Sequence, residues 1–220
     1  MTTPSLALLG DSILDNAPYT RPEPDTTAHL KRLLPEWSVQ LLAQDGGVMG
    51  EVEAQLTRLE SRPSVAVLSI GGNDATAHVG ILEGRTTYSA NMLEELLRIT
   101  TDFGREYEAV ARMVAEHAER VVLCTIYEVQ LEPRRYAELV KVPLGLLNDQ
   151  IIRVGARLGL DVLELRSICT EPADFVQQIE PSARGAEKIA RAIAAMVTGG
   201  AGLATSRVYA VGDTPLANGV

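Results

Sequence analysis

The sequence predicts an α/β fold: a three-layer α/β/α sandwich around a five-stranded parallel sheet. Three observations carry this expectation. Short apolar runs recur at residues 6–9, 39–43, 65–70, 121–126 and 161–165, and segments of helical periodicity lie between them. The run at 65–70 is apolar almost without interruption, as a strand covered on both faces should be. Strands that alternate with helices imply right-handed crossovers and a parallel sheet.

Taken in order, the first strand stops at Gly10-Asp11-Ser12. Residues 13–24, rich in proline and polar side chains, read as a loop beside that serine. Asp25-Thr26-Thr27 starts a helix that runs to about Leu34 and is ended by Pro35. The second strand closes in the glycine-rich turn Asp45-Gly46-Gly47-Val48-Met49-Gly50, after which Val52, Leu56 and Leu59 mark one apolar helix face. The third strand ends in Gly71-Gly72-Asn73-Asp74. Residues 75–85 have two glycines and no period and read as a loop. Helices are expected at 90–98 and 105–118, the second with Tyr107, Val110, Ala111 and Val114 on one side. The fourth strand is followed by an irregular stretch through 133–143 and a helix over 144–158, stopped by Gly159. After the fifth strand, a loop over 168–178 leads to Ile179-Glu180-Pro181-Ser182 and a last helix from about Ala183 to Val197. The composition then shifts to Gly, Ala, Thr and Ser. One domain over 1–198 and a flexible or loosely docked tail over 199–220 are expected.

Composition excludes several functions. A formal charge of −9 with dispersed acidic residues and no run of Lys or Arg argues against a nucleic-acid partner. No apolar stretch is long enough to span a membrane, and the amino terminus lacks a positive leader, so a cytoplasmic protein with no membrane partner is expected. The two cysteines, Cys124 and Cys169, are too few for a disulfide framework and suit a reducing compartment. No Asp/His spacing points to a metal, and no cofactor is expected.

Chemistry is expected at the three strand-end turns, because the carboxyl ends of parallel strands share one edge. A serine there, with a glycine amide and an asparagine side chain, supplies what acyl transfer requires. Ser12 is the candidate nucleophile; the Gly50 amide and the Asn73 side chain, with the Ser12 N–H as a third donor, are candidates for the oxyanion hole. Taken alone, Gly-Asp-Ser better suits a turn followed by a helix cap. Asp11 reads as a structural group that bonds turn amides. Asp15 and Asn16 are candidates for the pocket lining or for a helix start.

These residues resemble the blocks of the SGNH hydrolases, the GDSL-like lipase/acylhydrolase family. Gly10-Asp11-Ser12 matches the first block, residues 45–50 the second with aspartate in place of asparagine, and Gly71-Gly72-Asn73-Asp74 the third. The resemblance implies a flavodoxin-like fold and a serine esterase or acyl hydrolase that works through an acyl-enzyme. It also implies a terminal Asp-x-x-His-Pro with a histidine base. Here the aligned segment is Gln177-Gln178-Ile179-Glu180-Pro181-Ser182, and no histidine occurs beyond His117. Glu180 therefore stands in the histidine's place and Gln177 in the aspartate's.

Glutamate reaches as far along its side chain as the histidine nitrogen that meets the serine. Its reference pKa is lower by about two units, which costs at most about 3 kcal/mol if fully expressed in the barrier. Burial recovers part of this deficit. An amide at 177 can donate a hydrogen bond to a carboxylate, where an aspartate would repel it. A Ser12-Glu180 dyad oriented by Gln177 is thus self-consistent. The alternatives are a binding protein that has lost turnover, and His78 as another base or a substrate contact. The expected partner is a small or carbohydrate-linked ester; the mixed polarity of the loops at 18–24, 75–85 and 128–143 argues against a deep lipid pocket.

Overall fold

The structure is a computed structural model and describes residues 3–82, 88–199, 202–205 and 208. Strand β1 (Ser5–Gly10) leads through a turn and the short helix α1 (Ala17–Thr20) into α2 (Thr26–Leu33), which Asp25 caps by accepting the Ala28 N–H at 2.6 Å. Next come β2 (Ser38–Leu41), a 3-10 turn at Met49–Glu51 and α3 (Val52–Leu56). Then follow β3 (Val65–Ser69), α4 (Gly72–Thr76), a 3-10 turn at Val79–Leu82 and α5 (Ser89–His117). Strand β4 (Arg120–Cys124), α6 (Arg134–Leu158) and β5 (Asp161–Leu163) complete the main sheet. A hairpin of β6 (Phe175–Val176) and β7 (Glu180–Pro181) precedes α7 (Ala183–Val197).

The five main strands are parallel in the order β2-β1-β3-β4-β5. The winding reverses at β1, so the crevice above β1 and β3 is the topological switch point, where open α/β sheets bind ligands. Alternate residues feed two cores. Ala7, Leu9, Ala66 and Leu68 pack with α3, α5 and α6, while Leu6, Leu8, Val65 and Val67 pack with α2 and α7. This alternation produces the expected sandwich. Cys124 and Cys169 are both free and buried.

Several boundaries differ from the sequence reading. Helix α5 is continuous through 99–104, where the sequence suggests a break between two helices, because Ile99, Phe103, Tyr107, Val110 and Val114 form one buried stripe. Tertiary packing overrides the poor propensity of Thr100, Thr101 and Gly104 there. Helix α6 begins at Arg134, ten residues before the expected start, and carries Pro143 inside it. Proline removes the bond to the Leu139 carbonyl, but Leu139 is exposed to solvent and Leu144 and Leu147 are buried in the core. The loops expected at 13–24, 75–85 and 168–178 contain α1, the end of α4 and β6. The tail expected over 199–220 lies largely outside the described residues; Leu203 packs against the α7 side of the core. No helix among the described residues is long and apolar enough to cross a membrane.

Candidate active site

The Ser12 side of the site is built from backbone. Gly10 has φ 126°, and a Cβ there would overlap the Ser69 carbonyl oxygen, so only glycine ends β1 in this way. The turn is then pinned. The Asp11 N–H donates to Ser69 O at 3.0 Å, the Leu14 and Asp15 N–H groups donate to Asp11 O, and the Ile13 N–H donates to Asp11 Oδ1 at 3.1 Å. Gln55 of α3, fully buried, holds Gly10 from the other side. Its Oε1 accepts the Gly10 N–H at 2.8 Å and its Nε2 donates to Gly10 O at 2.7 Å. Asn148 of α6 does the same beyond the end of β4, accepting the Ile126 N–H at 2.7 Å and donating to Ile126 O at 2.8 Å. Ser12 stands above β1 with its side chain in the cavity wall, and its N–H has no partner among the described residues.

The three strand-end turns converge. Asn73 Nδ2 donates to Gly47 O at 2.8 Å, and the Asp74 carboxylate accepts the Met49 N–H at 3.2 Å. A Cβ at Gly47 would lie 2.7 Å from Gly10 O. Asn73 shares the cavity wall with Ser12, but Gly50 is exposed and outside that wall. Asp15 is also off the wall: its Oδ2 accepts the Asp45 N–H at 3.0 Å and ties two turns together. Asn16 is fully buried and bonds Thr26, joining the loop to α2.

Glu180 approaches from the opposite side, on β7. The hairpin tip turns through Gln177 and Gln178, with φ of 49° and 72°. It is fastened to the chain after β4. The Gln130 N–H donates to Gln178 O, the Glu132 N–H to Gln178 Oε1, and the Tyr127 hydroxyl to Ile179 O at 2.6 Å. The Tyr127 ring also packs edge-on against Phe175 of β6. Below, the buried Asp174 carboxylate accepts the Thr170 and Glu171 N–H groups and Lys188 Nζ, anchoring the hairpin to α7. Gln177, by contrast, is exposed and makes no hydrogen bond to Glu180. The orienting partner expected at that position is not brought to the site.

Glu180 is 9% exposed, and its Oε2 is buried without a hydrogen-bond partner. Burial raises its pKa above the ordinary carboxylate value; the Ser12 hydroxyl opposes this as a donor and Asp45 adds to it. Asp11 is pushed up to about 7, chiefly by burial, against the Ile13 N–H bond and with help from the Glu180 and Asp74 charges. The Tyr19 hydroxyl donates to Asp45 at 2.9 Å and is itself pushed up to about 12 by burial, that bond and the nearby carboxylates. This edge of the sheet is therefore acidic. Among the described residues no group of His, Cys, Asp and Glu is arranged to hold a metal ion.

Ser12, Asn73 and Glu180 open into one cavity of about 380 Å³. Apart from them and Asp11, its wall is dominated by aliphatic side chains from α5, α6 and the chain after β4, with the exposed His78 among the lining. This corrects the inference drawn from loop polarity: α6 extends through 134–143 and turns Tyr136, Val140 and Pro143 inward. Two supports escape the sequence reading. Gln55 falls on the apolar stripe of Val52, Leu56 and Leu59, and a lone polar residue in such a stripe is the available signal. Tyr127 gives no local signal, because its partner is 52 residues away.

Comparison with known proteins agrees with this architecture. No curated protein matches the chain at a significant level. Solved structures of similar fold include an extracellular lipase from Streptomyces rimosus, at 15% identity and TM-score 0.65 over 84% of this chain and 95% of that one. A lipase/acylhydrolase from Enterococcus faecalis has 21% identity and TM-score 0.66, covering 89% and 96% of the two chains. A single-site variant of an acetyl xylan esterase from Geobacillus stearothermophilus has 16% identity and TM-score 0.58, covering 87% and 93%. At these identities the likeness establishes the fold. The family follows from the sequence itself: its profile matches residues 8–188, and the chain belongs to the GDSL-like lipase/acylhydrolase family.

Proposed function

We propose that the chain is a carboxylic ester hydrolase that works through an acyl-enzyme on Ser12, with Glu180 as its base. Family membership supports ester hydrolysis. One observation carries the finer reading: Ser12 and Glu180 share the wall of a cavity that is otherwise largely apolar, and the serine hydroxyl is near enough to bear on the glutamate's proton affinity. Glu180 accepts the proton from Ser12 Oγ as the oxygen bonds to the acyl carbon, and the carbonyl oxygen becomes an oxyanion. The Ser12 N–H and the second hydrogen of Asn73 Nδ2 are the donors for that charge, since Gly47 O occupies only one Asn73 hydrogen. Collapse of the intermediate expels the alcohol with the proton from Glu180. Water, deprotonated by Glu180, then attacks the acyl-enzyme, releases the acid and returns the proton to Ser12. The raised pKa of Glu180 narrows the basicity gap to histidine. The polar groups near Glu180, Tyr19 and Asp45, with Asp15 bonded to the Asp45 N–H, suit a small or hydroxyl-rich alcohol, a carbohydrate included.

The test is hydrolysis of p-nitrophenyl butyrate by wild type, Ser12→Ala and Glu180→Gln. Each variant is expected to lose at least about a hundredfold in kcat/KM. Equal rates in all three would sink the proposal. A second reading, a binding protein without turnover, is favoured by the unpartnered Glu180 Oε2, which leaves the carboxylate without an orienting bond on that oxygen. Failure of an alkyl phosphonate to label Ser12 supports that reading; stoichiometric labelling rejects it.

A further inference from the structure

We infer that the cavity is an acyl-chain pocket that selects esters of medium-length aliphatic acids over acetyl esters; this rests on the ester-hydrolase reading above. Its wall is made by two helical stripes. Leu96 and Ile99 come from α5, and Val140, Leu144 and Leu147 from α6. These positions are spaced at three, four and seven residues, so each helix turns a continuous aliphatic face inward.

Three hydroxyls in this wall are engaged by the protein's own carbonyls. Thr100 Oγ1 donates to Leu96 O at 2.8 Å, Thr76 Oγ1 to Asn73 O at 2.7 Å, and the Tyr127 hydroxyl to Ile179 O at 2.6 Å. Apart from Tyr136 and the exposed His78, the rest of this wall is almost wholly carbon. The reactive polar groups of the wall are Asp11, Ser12, Asn73 and Glu180, of which Glu180 lies near enough to Ser12 and Asp11 to interact with both. The complementary ligand has one polar centre and an apolar tail, which is the form of an aliphatic ester with its carbonyl at Ser12.

The volume sets the length. At about 380 Å³ the cavity is more than twice the roughly 150 Å³ that accommodates a benzene ring, room for about a dozen carbon atoms. An acetyl group leaves most of this space unfilled, and a chain of about eight to ten carbons fills it. Each methylene that leaves water for such a wall raises kcat/KM by up to about fourfold. Longer chains have to project from the mouth and gain nothing further.

The experiment measures kcat/KM for p-nitrophenyl acetate, butyrate, octanoate, decanoate and palmitate with the full chain. An increase of at least about a hundredfold from acetate to octanoate is expected, with a fall at palmitate. Val140→Trp, at a half-buried position, is expected to lower the octanoate-to-acetate ratio at least tenfold by filling the pocket. Binding supplies a readout independent of turnover. Ser12→Ala is titrated calorimetrically with methyl octanoate and methyl acetate, and saturable binding is expected for the octanoate alone. Active enzyme with equal kcat/KM for acetate and octanoate overturns the pocket and leaves the ester hydrolase standing. If no ester is turned over, the hydrolase reading falls, and methyl octanoate that fails to bind then overturns the pocket as well.

Discussion

Ser12 and Glu180 face each other, yet the chain holds them by opposite means. The serine sits on a turn fixed by backbone bonds, by a glycine that admits no side chain and by the buried amide of Gln55. The glutamate sits on a two-residue strand whose hairpin is well anchored, but Oε2 of its carboxylate is left unpartnered. Position is over-determined on the first side, whereas on the second the backbone is placed and the side-chain orientation is only partly fixed. A change of side chain would break the fewest bonds on the second side.

The comparison breaks most directly at Gly10. Gly10→Ala places a methyl group onto the Ser69 carbonyl oxygen, and a loss of more than about 4 kcal/mol is expected in denaturant unfolding. A mild effect would show that the turn yields and that the serine side is no stiffer than the glutamate side.

Asp11 gives the next largest effect. Its carboxyl lies near 7 in the fold against an ordinary 3.8, so the native state binds its proton more tightly than the unfolded chain does. The contribution of this group to stability is therefore most favourable below about pH 4. It declines as pH rises through 4 to 7 and is level above, a loss of at most about 4 kcal/mol. Asp11→Asn retains an acceptor for the Ile13 N–H and removes the titration. The variant is expected to gain in Tm over wild type at pH 8 and to show little difference at pH 4.5; equal differences at the two values would contradict the assignment.

Two glutamines sharpen the contrast at smaller scale. Gln55→Ala strips the Gly10 N–H of its buried acceptor and is expected to cost about 2 to 3 kcal/mol, with a drop in kcat as Ser12 loses its support. Gln177→Ala, at the exposed hairpin tip, is expected to change stability by less than about 0.5 kcal/mol and to leave kcat unaltered. A large kcat loss in Gln177→Ala would restore that residue as the orienting partner of Glu180.

The strand-end turns are legible in the chain because glycine at positive φ and short polar side chains leave a local signature. Gly10, Asn73 and the turn at 45–50 can be grouped from the chain alone, and the parallel sheet does bring them together. Glu180 is found by its place before the last helix. Gln177 is placed by the same spacing, but it sits at an exposed hairpin tip with positive φ and makes no hydrogen bond to Glu180. The pocket is illegible for a different reason. Its walls come from helices whose facing residues, such as Ile99 and Leu147, are far apart in sequence, and Pro143 disguises the first ten residues of α6 as a loop.

The pairs Gln55 with Gly10 and Asn148 with Ile126 have a consequence for the edge of the sheet that carries the site. A side-chain amide is a peptide group on a tether, and each of these two occupies both hydrogen-bonding groups of a residue at or just beyond a strand end, as a neighbouring strand would. Strands of unequal length can thus stop beside the pocket without leaving bare backbone. The segments that rise from this edge are released from any duty to pair with it, so their length and sequence can vary with the ligand while the sheet beneath stays closed.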